Sequence, residues 1–454
     1  MDFLSILIFI GKFLAVQFLS EKLAPKAQMS RAKSSGLKDL SFPTADPTLP
    51  HPWLVGKCLL DSPNLFATFD FLAKERSKSV RSGLFSRQTV PLPTEYYVSA
   101  GMILCAGSGV VLHEIWAEDV QIWHGRAISG DAISLDYTDA QSAISEQPVG
   151  IRGILDFHSG SETPNAYIES KRGAGNTPAW PHLTYAVLRG AAAGGAWIGT
   201  STVVQHLKFV CSRAPFGDEN NSFSNGDANP AFVINELAQD KQFWAGMAPN
   251  LGTFQGSAAQ VLFDEEHGVS FVCDSERTAE AVIDEVCRQI GGTLQHNHDD
   301  AALTLRLLRE TDESVLTLDD SNIKSMDEFG RASIGEATNA LSVSYTARDD
   351  KYRVRKIEVQ DLAAIDAVQR VTAGTTSYLG ITSAKLAHRI GMRDLRALSA
   401  PLAACRLTAI IPQRQSLAPG DVVSLSSVAG DITARRMRCT VSGWRSHLAG
   451  MGNS

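Results

Sequence analysis

From residue 53 to residue 215 the chain is written as short apolar runs cut by Gly, Pro, Asn and Asp. The cuts come roughly every ten residues, which is the punctuation of an all-β sandwich or barrel. The runs at 96–105, 110–116, 151–157, 184–188 and 207–211 are short, and no long amphipathic helix interrupts them. Residues 218–227, rich in Asn, Ser, Gly and Asp, then form a loop or a domain boundary.

Helical spacing takes over beyond that run. Asn229-Pro230 offers an Asx cap followed by Pro at the first helical position, with Ala231, Ile234 and Leu237 on one face. A second helix is expected over 253–266, burying Phe254, Ala258, Val261 and Leu262 and ending at Gly268. A third is expected over 276–290, where Ala279, Val282, Ile283, Val286, Cys287 and Ile290 keep helical step and Gly291-Gly292 closes it. Strands at 269–273, 293–296 and 302–308 are interleaved, which makes a small α+β unit. The remainder returns to strands at 340–346, 352–360, 406–411 and 421–425. One helix interrupts them over 383–398, with Leu386, Ile390 and Leu395 inward and Pro401 forbidding its continuation. Leu417-Ala418-Pro419-Gly420-Asp421 has turn chemistry between two strands. Neither a solenoid repeat nor a heptad run is present.

The N-terminus is apolar over 3–10 and again over 13–19. Asp2 and the lack of a basic residue before the apolar stretch make it a poor signal peptide. As a membrane span it is short, and Lys12 near its centre would cost roughly 3 kcal/mol. It reads instead as a hydrophobic helix buried against protein partners, with contact to a host membrane as the alternative. Residues 26–50, polar and rich in Ser, Pro and Lys, read as a linker.

The 454 residues imply more than one domain. A balance of 42 Lys+Arg against 49 Asp+Glu, net −7, argues against direct nucleic-acid recognition, which needs a basic footprint. Seven cysteines, an odd number without a Cys-x-x-Cys pair, imply neither a disulfide framework nor a zinc site. They read as buried thiols of a protein made in a reducing cytoplasm.

Catalytic motifs are missing: there is no Gly-x-Ser-x-Gly elbow, phosphate loop, dinucleotide fingerprint or His-Glu-x-x-His. Gly190, Gly194 and Gly195 suit a tight turn, with Trp197-Ile198-Gly199-Thr200 as a strand end. His296, His298, Asp299 and Asp300 make the most metal-like cluster, yet they sit where a hairpin turn usually carries polar residues. His113-Glu114 and His182 lack an evident partner, while Asp312-Glu313 and Asp319-Asp320 read as solvated turns. No catalytic, cofactor or metal residue is therefore assigned, and no cofactor is expected.

A series of phrases gives the chain a family likeness. It opens with Thr48-Leu49-Pro50-His51-Pro52-Trp53-Leu54-Val55-Gly56, Leu104-Cys105-Ala106-Gly107 and Leu112-His113-Glu114-Ile115-Trp116. Gly150-Ile151-Arg152-Gly153, Pro178-Ala179-Trp180, Tyr185-Ala186-Val187-Leu188, Gly199-Thr200-Ser201 and Val210-Cys211-Ser212-Arg213-Ala214-Pro215 follow. Then come Asn225-Gly226-Asp227-Ala228-Asn229-Pro230-Ala231, Asp320-Ser321-Asn322-Ile323, Asn339-Ala340-Leu341-Ser342-Val343-Ser344-Tyr345-Thr346, Arg393-Asp394-Leu395-Arg396-Ala397-Leu398-Ser399 and Leu417-Ala418-Pro419-Gly420-Asp421-Val422-Val423. Over nearly its whole length the chain resembles the tail hub, or tip-assembly, proteins of long-tailed bacteriophages and gene transfer agents. Departures are Thr202 in place of an expected Pro and Pro181-His182 in place of Arg-Gly. The chain also stops at Ser454, without a long fibre-like extension.

The resemblance implies an α+β fold that is mostly β: tube-like β-barrel or sandwich domains flank a small α+β domain, behind an N-terminal hydrophobic helix. The expected divisions are 1–25 for that helix, 26–50 for the linker, 51–217 and 313–454 for the β-rich domains, and 228–312 for the α+β domain. It implies a structural virion protein and not an enzyme, a homotrimer that closes the distal end of the tail tube. Such a baseplate hub adapts a sixfold tube to a threefold central fibre during host attachment and genome ejection. Its implied partners are the distal tail protein, the tape-measure protein and the central fibre or a separate receptor-binding protein. The other classes left open are a membrane-tethered β-rich binding protein and an enzyme with an unrecognised site.

Overall fold

Strands with one apolar face must cover it, and the first half of the chain does so by wrapping its strands around a common interior. The computed structural model describes residues 49–81, 87–144, 148–192, 194–218, 223–240, 246–296, 302–331, 337–399, 403–410, 417, 420–427 and 432–439. The class is α+β and mostly β, with several sheets. The apolar segment 3–19 and residues 26–48 of the linker lie outside the described residues. Among the described residues no helix is long and apolar enough to cross a membrane.

The first half holds β1 Trp53–Leu60, β2 Asn64–Arg81, β3 Arg87–Ala106, β4 Val111–Ala117, β5 Val120–Ala127, β6 Ala132–Thr138, α1 Ala140–Ile144, β7 Val149–Ser161, α2 Ala166–Arg172, β8 Trp180–Arg189, β9 Ala196–Gly199 and β10 Leu207–Arg213. Its main path runs β5-β4-β10-β1-β3-β8-β7-β6, and the end strands β5 and β6 lie side by side, so the layer curls into a barrel. Leu54, Leu112, Ile115, Leu155, Phe157 and Phe209 fill it. Leu112 and Ile115 both point inward although three residues apart, because the ladder to β5 slips between Leu112 and Glu114.

The central unit comprises α3 Pro230–Gln239, a π-helix Gly252–Ala258 running into α4 Ala259–Asp264, β11 Phe271–Cys273, α5 Ala279–Ile290, β12 Gly292–His296 and β13 Leu303–Leu307. Asn229 caps α3 as expected, its side chain accepting from the Ala231 amide at 3.1 Å. The helix is buried nearly all round rather than on one face. Strand β1 serves both bodies: Trp53–Val55 pairs with β11, Gly56–Leu60 with β10, and its side chains alternate between the two cores.

Two helix readings need correction. The π-turn, with its wider residue spacing, shifts the helical stripe, so Phe254, Ala258 and Leu262 are buried while Val261 is 37% exposed. That helix stops at Asp264, and the residue that turns the chain away with a left-handed φ of 51° is Glu266, not Gly268. Gly268 is required by packing instead, since a Cβ there would meet Asp227 Cβ at 2.5 Å. The third helix starts at Ala279 and not Glu276, because Thr278 is the residue whose hydroxyl accepts from the Ala281 amide.

The last part holds β14 Ser314–Leu318, β15 Ile323–Arg331, β16 Ala340–Ala347, a 3-10 turn Arg348–Asp350, β17 Arg353–Gln360, α6 Leu362–Val368, β18 Ala373–Ser377, α7 Ala384–Ser399, β19 Ala403–Ala409, β20 Val422–Ser427 and β21 Ile432–Arg438. Helix α7 lays Leu386, Ile390 and Leu395 on the sheet β17-β16-β18, against Leu341, Val343 and Val359. The sheet β14-β20-β21 and the pair β15-β19 share a smaller core around Leu318, Val423 and Leu425.

Gly291 ends α5 at φ 61°, its amide donating to the Cys287 and Arg288 carbonyls. Gly291→Val should therefore cost about 1–2 kcal/mol, read as a lowered urea midpoint. An unchanged midpoint would refute the need for glycine there.

Candidate functional site: a projecting arm and a buried joint

Strands β2 and β3 run on past the barrel. Beyond the pair Ala73↔Tyr96 the two pair with each other out to Arg81↔Arg87, and no third strand joins them among the described residues. At about 3.3 Å per residue the stretch from Lys74 to Arg81 reaches roughly 25 Å. It is basic: Lys74, Arg76, Lys78, Arg81 and Arg87 stand against Glu75 and Glu95, with Arg76 paired to Glu95 at 2.9 Å. All but one of the residues from Leu72 to Arg81 are exposed.

The arm leaves the barrel at a fixed bend. Its ladder breaks between Phe69 and Leu72, where Asp70 takes φ 53°, a conformation that Asp tolerates better than most residues. Helix α2, capped by Asn165, brings two partners to that carboxylate: Lys171 Nζ at 2.8 Å and the Tyr167 hydroxyl. The Tyr167 oxygen also lies 2.6 Å from Ser99 Oγ on β3. Burial would raise the Asp70 carboxyl, but hydrogen bonds from Lys171 and Tyr167 hold it below the usual range. Burial and the adjacent Asp70 push Tyr167 up to about 12. The arm's base is thus held by a charged clasp built from β2, β3 and α2.

A second polar cluster joins barrel, central unit and last part. Asp227, 3% exposed, accepts from Ser270 Oγ at 2.6 Å, from Arg348 and from Thr382 Oγ1 at 3.3 Å. Arg348 also donates to the Asn225 carbonyl at 2.9 Å and the Lys57 carbonyl at 3.2 Å. Gly56 is needed beside it: φ is +65° and a Cβ would lie 2.2 Å from Ser270 Oγ. At the neighbouring joint Arg213 Nη2 donates to the buried Glu236 at 2.6 Å, tying β10 to α3.

The residues singled out from sequence lie apart. His113 Nε2 is 2.7 Å from Ser212 Oγ in the barrel wall, and burial and Lys57 push its pKa down to about 4. Glu114 faces Lys57 at 3.9 Å, and His182 is exposed on β8. His296 ends β12, while His298, Asp299 and Asp300 lie outside the described residues. No cluster of potential metal ligands exists among the described residues. Asp312 receives the Arg309 amide and Arg438, and Asp319 the Ser321 amide and hydroxyl. Cys58, Cys105, Cys211, Cys273 and Cys287 are buried, and burial raises all five thiols. This chemistry holds segments together. Sequence reading missed the arm and both joints; the basic run at 74–81 was the signal for the arm, whereas the joints unite residues far apart in the chain.

Residues 278–441 match the family described as putative phage tail protein. That match spans less than half of the chain. Its fold is shared with a chain in the structure of the virion of a native gene transfer agent particle. The two are 15% identical, with a TM-score of 0.58 over 90% of this chain and 86% of that one. The crystal structure of the prophage MuSo2 43 kDa tail protein from Shewanella oneidensis is 12% identical, with a TM-score of 0.31 over 80% of this chain and 91% of that one. No curated protein matches this chain in sequence.

Removing one member of a buried ion pair strands the other charge. Asp227→Ala should destabilise the protein by about 3–5 kcal/mol in urea unfolding, and a loss below about 1 kcal/mol would show that Arg348 finds another partner. His113 adds a pH dependence. Below pH 6.5 the unfolded chain binds a proton that the folded chain refuses until about pH 4. Its contribution is therefore complete above pH 6.5 and falls away toward pH 4. His113→Gln should flatten the stability–pH curve across that window; an unchanged slope would exclude His113 as a source.

Proposed function

We propose that three copies of this chain form a ring at the distal end of a tail tube, a hub that adapts the sixfold tube to a threefold central fibre. The observation that carries the reading is the arm. A two-stranded ladder that no third strand joins among the described residues is marginal in water, and an exposed strand edge is a template for another chain. In a closed ring of identical subunits, contacts run head to tail, so each arm lies on the next copy and every arm is covered. The phage-tail family match and the fold shared with a gene transfer agent chain support placing that ring in a tail.

In this arrangement the barrel around Leu112 and Phe157 stacks toward the tube, with the distal tail protein and the tape-measure protein as neighbours. The last part faces the central fibre or a separate receptor-binding protein. Segment 3–19 lies inside the ring, against its symmetry mates or the tape measure. The role is structural, and the clasp at Asp70 sets the direction in which each arm meets its neighbour.

Quantitative mass spectrometry of purified particles tests the reading against the portal as internal standard. Three copies per particle are expected, and absence from particles would sink the proposal. In the same particles, a chain in which Asn-Gly joins Ala73 to Tyr96 should keep its thermal midpoint and fail to be incorporated. Normal incorporation would remove the arm from the contact.

A further inference from the structure

Helix α7, the π-helix with α4, and the outer edge of β13 enclose an open cavity of about 1380 Å³. Small-molecule sites usually span roughly 300–1000 Å³, so this space suits a chain segment better than a metabolite. Val261, Leu305, Leu307 and Met392 give it apolar surface. Six arginines line it against three carboxylates, in a chain whose net charge is −7.

Four of those arginines are engaged: Arg306 with Asp421, Arg309 with Glu265, Arg393 with Asp394 and Arg438 with Asp312. Arg389 and Arg396 stand two turns apart on the exposed side of α7, with no ion pair among the described residues. His267 lines the same cavity at 3% exposure, and its Nε2 has no hydrogen-bond partner among the described residues. Burial, then Arg389, Arg393 and Arg309, push its pKa down to about 3, which registers the positive potential of this wall.

The strand edge adds direction. Leu303 spends its outward amide and carbonyl on Ala248 and Asn250, and the Leu305 amide reaches Thr253 Oγ1 at 3.3 Å. Alternation in the antiparallel ladder with β12 then turns the Leu305 carbonyl and the Leu307 amide and carbonyl toward the cavity. We propose that this edge takes up an extended, acidic segment of a partner protein, which adds as a strand beside β13 and presents carboxylates to Arg389 and Arg396. Charge selects the segment, and the backbone groups of β13 fix its register. Duplex DNA would answer the charge but has no strand to offer the edge. This binding mode is independent of the proposed ring.

The probe is a fluorescein-labelled peptide of alternating Glu and Val, seven residues long, titrated into the full chain and read by anisotropy. Saturable binding that weakens with salt is expected; no binding by the unaltered chain overturns the proposal. The double variant Arg389→Glu, Arg396→Glu changes only exposed side chains and should bind at least tenfold more weakly with an unchanged circular dichroism spectrum. A peptide whose valines are N-methylated keeps its charge but cannot form a ladder, and should also lose at least tenfold. Equal binding in either comparison overturns the proposal. So does equal competition by a lysine–valine peptide, by a short DNA duplex or by millimolar sulfate alone, the last marking a small-anion site only.

Discussion

The carboxylate of Asp227 is the point on which the arrangement of the chain depends. It is buried, so it must be neutralised, and the groups that do so come from four places: Asn225 beside it, Ser270 ahead of β11, Arg348 after β16 and Thr382 ahead of α7. Through Arg348 the cluster also holds the Lys57 carbonyl of β1. A buried ion pair adds little net stability over an apolar substitute, yet losing one partner leaves a charge without water. Each segment is therefore kept in place by what its departure would leave behind. The close approach of Gly56 and Gly268 to the cluster follows, since a side chain at either would push Ser270 or Asp227 away.

Much of the fold was legible because its strands and helices carry local marks. Asn229-Pro230, the periodic run ending at Gly291 and the alternation over β16 and β17 each state their structure within a dozen residues. The arm was not legible. Pro91 and Pro93 argue against a strand because proline has no amide to donate, and the run of charges from Lys74 to Arg81 looks like a solvated loop. In the structure Pro91 sits opposite Ser77 on a ladder that no third strand joins among the described residues, so none of them needs its missing amide. The candidate site was illegible for a different reason: Asp227 and Arg348, or Asp70 and Lys171, are about a hundred residues apart, and nothing local in either marks the pairing. The π-turn that exposes Val261 likewise has no simple signature in the apolar spacing.

The functional surfaces and the polar joints divide the work between them. The carboxylates of Asp70 and Asp227 find their donors within the chain, so the clasp and the joint set geometry. The arm, which no third strand joins, and the cavity beside α7, where Arg389 and Arg396 have no ion pair, are where the described residues leave strand edge or charge open. Such groups are costly to leave open in a protein made to stand alone, and ordinary in one part of a larger assembly. The phage-tail family match over 278–441 includes α7, so the helix bearing Arg389 and Arg396 belongs to the family-like portion, whereas the arm lies outside it.

Strand β1 carries a mechanical consequence. Its first residues are hydrogen-bonded to β11 and its last to β10, and its side chains are embedded alternately in two interiors. A twist of the barrel against the central unit would have to shear both ladders together and drag Trp53 and Val55 out of one interior or Leu54 and Cys58 out of the other. The two bodies thus transmit torque as a single stiff lever. The last part is fixed to that lever by more than the loop past Leu307: Arg348 on Asp227 and Arg393 on the Gln289 carbonyl would have to let go before it could yield under load.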